Sequence, residues 1–96
     1  HMLTGCHAMR VLAPFLAPEA LGIFATAVLA AYVAIGRPPI TATLPDNVPD
    51  DATIAAQAVP SDDDHDLKLV YSALREEAEY GTGWHRLCAA VRLGLA

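Results

Sequence analysis

This 96-residue chain has a single lysine, and its six Lys and Arg stand against eleven Asp and Glu. So few bases leave no positive stripe to follow phosphates, which argues against nucleic-acid binding through the backbone. Cysteine is equally scarce: Cys6 and Cys88 allow one bridge at most, where a secreted disulfide scaffold of this length needs several. A reducing compartment, the cytoplasm, is the expectation. Serine nucleophile elbows, phosphate-cradling loops and the metalloprotease helix motif are all absent. Strand alternation is confined to a weak pattern at residues 40–44, so an all-α fold is expected.

What the chain has in excess is apolar residues, 54 % of the total, concentrated in its first 36 positions. From Pro18 to Gly36 no charge follows Glu19. Pro18 suits a first helical turn, Glu19 complements the positive end of the dipole, and Gly36 before Pro38 and Pro39 stops the helix. Residues 18–35 therefore predict a helix of roughly 26 Å, short of the ~30 Å hydrocarbon core of a bilayer. A helix apolar on every side must be covered by other helices, a partner or lipid.

Its two faces differ in bulk. At 100° per residue Leu21, Phe24, Val28, Leu29, Tyr32, Val33 and Ile35 share one arc, and Thr26, Ala27, Ala30 and Ala34 lie on the other. The bulky arc is expected to face the rest of the chain. The small face then suits close approach by a second helix, and the row Gly22, Thr26, Ala30, Ala34 would serve as a packing seam in a membrane as well. Ahead of this helix, residues 9–17 read as a short helix or turn ending near Pro14. Leu3-Thr4-Gly5-Cys6 matches a lipoprotein cleavage pattern, but no apolar run precedes it, so the match is read as chance.

After Gly36 the composition changes. Residues 37–49 contain four prolines and read as an extended connector. Residues 50–59 read as a short helix with acids at its start and Pro60 at its end. Seven Asp and no base fall within residues 41–66, which places the acidity in the crossover. Ser61 and Asp64 resemble a capping box. From there Leu67, Val70, Tyr71, Leu74 and Ala78 form one face, opposite Lys68, Ser72, Arg75, Glu76 and Glu79. Asp64/Lys68 and Arg75/Glu79 have the spacing of helical ion pairs. Gly81 closes this helix and Thr82 is placed to cap the next, in which Trp84, Leu87, Cys88, Val91 and Leu95 share a face.

Constellations that carry chemistry are weak. Cys6, His7, His85 and Cys88 are zinc-ligand types, but adjacent residues rarely aim at one ion, so no metal is expected. The acidic run 62–66 lacks the glycine turn and distal glutamate of a calcium loop. Glu76, Glu77 and Glu79 read as solubilising groups rather than catalytic acids. Arg86 and Arg92 diverge, which argues against a helix-turn-helix DNA reader.

The expectation is a single all-α domain spanning residues 1–96, a small bundle of three to four helices. In it 18–35 is the apolar central helix, 37–60 the acidic crossover and 61–96 a C-terminal helical hairpin. The function expected by elimination is a non-catalytic, self-associating protein-interaction or assembly module without a cofactor, with a protein partner and no nucleic acid. Its interface candidates are Thr26, Ala27, Ala30, Ala34, Tyr71 and Trp84, although Tyr71 and Trp84 also suit a core. Two rivals stand beside it: a membrane-associated protein anchored by residues 11–35, and an acidic inhibitor or immunity-type protein that meets a basic partner by charge.

Overall fold

A computed structural model describes residues 2–40 and 43–96. The described residues are all-α, with five α-helices and no strand. Of the weak strand pattern at 40–44, Thr41 and Ala42 lie outside the described residues.

The first helix, α1, spans Met2–Leu12 and passes into a 3-10 turn at Ala13–Phe15, where Pro14 ends regular hydrogen bonding. It begins well before the short element expected at 9–17. Helix α2, Glu19–Ala34, follows Pro18 and stops as predicted. Gly36 and Arg37 both turn to positive φ, and the Arg37 N–H donates to the Tyr32 carbonyl at 3.2 Å. The Tyr32 hydroxyl donates to the Pro38 carbonyl, pinning the connector against the helix end.

Helix α3, Asp51–Ala58, is capped by Asp50, whose carboxylate accepts the Thr53 N–H at 2.8 Å. Helix α4, Asp64–Tyr80, is capped by Asp63 rather than by Ser61. The Asp63 carboxylate accepts the His65 N–H at 2.9 Å, and the Ser61 hydroxyl instead donates to Asp66 at 2.7 Å. Gly81, at φ 64°, closes α4. After Thr82 and Gly83, α5, Trp84–Arg92, begins. Helices α4 and α5 form the expected hairpin.

The core differs from expectation in its centre. Helix α4 is the central element, flanked by α1, α3 and α5. The buried core is Ile54 and Ala58 of α3, Val70 and Ala73 of α4, and Ala89 and Ala90 of α5, with Leu3, Leu69, Leu74, Leu93 and Leu95 packed on it. The apolar helix α2 is peripheral and buries no residue. Its one substantial neighbour among the described residues is α1, where Phe24 faces Gly5. An evenly apolar helix carries no directional signal saying which side must go inward, whereas α4 is fixed by polar partners on several sides.

Two faces are also turned from their expected settings. On α4, Ser72, Glu76 and Glu77 are buried while Tyr71 and Leu67 are exposed. On α5, Ala89 and Ala90 point inward, and Cys88 and Val91 point out. Small alanines let α5 lie close to α4, and ion pairs on either side set its rotation. Arg86 donates to Asp51 at 2.6 Å, and Arg92 donates to Asp66 at 2.6 Å and to Asp63 at 2.9 Å.

Candidate functional site

Two neighbouring glutamates on α4 organise the polar interior. Glu76 is 3 % exposed, and α1 supplies its partners one turn apart. His7 Nδ1 lies 2.6 Å from its Oε1, and Arg10 Nε donates to Oε1 at 2.7 Å and to Oε2 at 3.0 Å. Burial alone would raise the Glu76 carboxyl, but the hydrogen bonds from His7 and Arg10 outweigh it and hold the group below the ordinary glutamate range. Glu77, 5 % exposed, turns the other way and accepts the backbone N–H of Gly83 at 2.6 Å and of Arg86 at 3.1 Å. It caps α5 from another helix, because α5 has no acid in its own first turn and no side-chain cap at Gly83.

The reading of Glu76 and Glu77 as solvated groups is therefore overturned, since each carboxylate has donors that compensate its burial. Of the two expected helical ion pairs, Asp64–Lys68 forms at 2.7 Å. Glu79 instead lies 3.7 Å from Arg10. The acidic run is not a free tether either: Asp51, Asp63 and Asp66 hold α5 through its arginines.

Around this interior lie two surfaces. The first is the outer side of α2. Phe24, Val28 and Ala31 are half-buried beside α1, while Ile23, Thr26, Leu29, Ala30 and Val33 are exposed. The bulky arc is thus split between the two sides. Thr26 is satisfied locally, its hydroxyl donating to the Gly22 carbonyl at 3.0 Å. Exposed apolar groups bracket the helix, with Phe15 84 % exposed before it and Ile40 86 % exposed after it. Ala27, Ala30 and Ala34 are all exposed, with Ala27 lining a groove of about 200 Å³ between α1 and α2.

The second surface is a cleft of about 680 Å³ where α1, α4 and α5 meet. Thr4, His7 and Ala8 of α1 line it together with Leu69, Tyr71 and Ser72 of α4. His65 and Lys68 of α4 and Arg92 of α5 complete the lining. Tyr71 is exposed here, and the His7 ring meets it edge-on at 5.8 Å. Trp84 is half-buried at the start of α5, away from this cleft.

The structure does not bring Cys6, His7, His85 and Cys88 together as one ligand set. Asp63, Asp64 and His65 present ligand atoms within 4.8 Å of one another, but they are exposed, and Lys68 and Arg92 already bind the two carboxylates. Both cysteines are free, and desolvation pushes the Cys88 thiol up.

Sequence reasoning passed over His7 and Arg10 as a pair, which share a helix face at three-residue spacing and meet Glu76 together. It also passed over Glu77, although Gly81-Thr82-Gly83 left the next helix without an acid in its first turn. The chain matches no protein-family model, no curated protein and no solved structure at a significant level.

Proposed function

We propose that this protein is a non-catalytic, self-associating interaction module in which α2 docks against α2 of a second copy. The observation that carries this reading is an apolar helix none of whose residues is fully buried in its own domain. Monomers rarely leave so continuous an apolar surface in water.

A second copy suits the face for two reasons. The apolar segment is bounded by Glu19 at one end and Arg37 at the other, both exposed. An antiparallel pair around a twofold axis sets each Glu19 near Arg37 of the other copy and opposes the two helix dipoles. Thr26 and Ala30 then form a low seam between Ile23, Leu29 and Val33, so that backbones approach closely. A stable interface takes roughly 800 Å² per partner, more than one face of a 16-residue helix supplies. Phe15, Leu16, Ile35 and Ile40, all exposed, extend it at both ends.

The rival readings have less support. No helix among the described residues is long and apolar enough to cross a membrane. The acids that a charge-driven inhibitor would offer to a partner are largely paired with Lys68, Arg86 and Arg92. Two exposed free cysteines suit a reducing compartment, and we propose the cytoplasm as the place where the module works.

The test is Leu29→Glu, followed by sedimentation and circular dichroism. Because Leu29 is exposed, the variant should keep its helix content and become monomeric. An unchanged mass would contradict docking through this face, and sedimentation of the native chain with phospholipid vesicles would favour the membrane reading instead.

A further inference from the structure

The cleft between α1, α4 and α5 is built unlike the apolar surface of α2, and its size falls within the range of small-ligand sites. None of its lining side chains is a carboxylate. Ser72 is only 5 % exposed, yet it lines the cleft, and its hydroxyl has no hydrogen-bond partner among the described residues. The hydroxyl of this largely buried residue opens on the cleft, where a ligand can accept from it. His7 uses Nδ1 on Glu76, which leaves Nε2 for another partner.

The bases lining the cleft are held without being used up. Lys68 gives one of its three N–H donors to Asp64. Arg92 spends Nε–H and one Nη2–H on Asp66 and Asp63, leaving three of its five donors. Each base therefore keeps free donors beside its ion pair. Ala8, Leu69 and the Tyr71 ring add apolar lining to the same cleft.

We infer that this cleft binds a small organic oxyanion, a carboxylate or phosphate ester on a short apolar body. The oxyanion accepts from Lys68, Arg92 and the Ser72 hydroxyl, and the apolar body lies along Leu69 and Ala8. This site is independent of α2 and of self-association.

The experiment is a titration of the full chain with hexanoate, hexyl phosphate and hexylammonium, followed through backbone amide shifts. Saturable shifts are expected at Thr4, Ala8, Leu69 and Ser72 with one or both oxyanions and not with hexylammonium. The stronger of the two assigns the headgroup. Lys68→Gln, a change at an exposed pair, should weaken binding by about two- to fivefold, and Ser72→Ala should weaken it as well. No saturable shift, equal binding of hexylammonium, shifts confined to α2, or affinity unchanged by Lys68→Gln would overturn the assignment.

Discussion

The Glu77 carboxylate, buried on α4, takes the backbone N–H of Gly83 at 2.6 Å and so caps the helix that follows it. One side chain therefore fixes both the turn and the angle at which α5 leaves it. Glu77→Ala leaves two backbone donors without their acceptor and should cost about 1–2 kcal/mol. Glu77→Gln keeps one acceptor oxygen and should fall between it and the native chain. Urea unfolding of the three proteins checks the order.

Gly83 itself sits at φ 85°, and a Cβ there would come within 2.5 Å of the Leu44 side chain. Gly83→Ala should therefore destabilise the hairpin by about 1–2 kcal/mol from backbone strain, while Gly22→Ala, with open space around it and ordinary helical geometry, should be neutral or mildly stabilising. Thermal melts of the pair separate the two effects.

Among the described residues Ile54 is the one large side chain with no exposed surface, and it holds α3 against a core of Val70 and small alanines. Ile54→Ala should cost about 2–5 kcal/mol. Ile40→Ala, at a side chain with 86 % of its surface exposed, should not lower the stability of the monomer. Denaturant midpoints measured on dilute protein make the comparison.

Acid should destabilise this protein. His65 and Arg92 hold the Asp63 carboxyl below its ordinary value, as Lys68 does for Asp64 and Ser61 with Arg92 for Asp66. Glu76 is also lowered. Groups with depressed folded values contribute stability that is present above their unfolded pKa and lost as the pH falls through the folded one. The melting temperature should therefore hold near neutrality and drop below about pH 4. A melting temperature unchanged between neutral pH and about pH 2 would show that these pairs contribute nothing.

Helix punctuation was legible in the sequence wherever it was written in local residues. Pro18 and Gly36 bounded α2, Asp50 and Pro60 bounded α3, and Gly81 ended α4. Packing was less legible, because it depends on partners far apart in the chain. Glu76 looks solvated until His7 and Arg10, 69 and 66 residues away, are placed beside it. The rotation of α5 follows from Asp51, Asp63 and Asp66 gripping its arginines, against the direction its bulky residues alone suggest. Helix α2 had the strongest hydropathy signal and no polar group to orient it, so its pattern announced a helix without saying what would cover it. The cleft was not legible at all, since Thr4, Ser72 and Arg92 come from three separate helices.

Light scattering of the detergent-free protein over a range of concentrations tests self-association through α2 most directly. The chain mass is 10.1 kDa, and the reading predicts twice that value at high concentration, falling on dilution and lost in Leu29→Glu. A mass of 10.1 kDa at every concentration would contradict it.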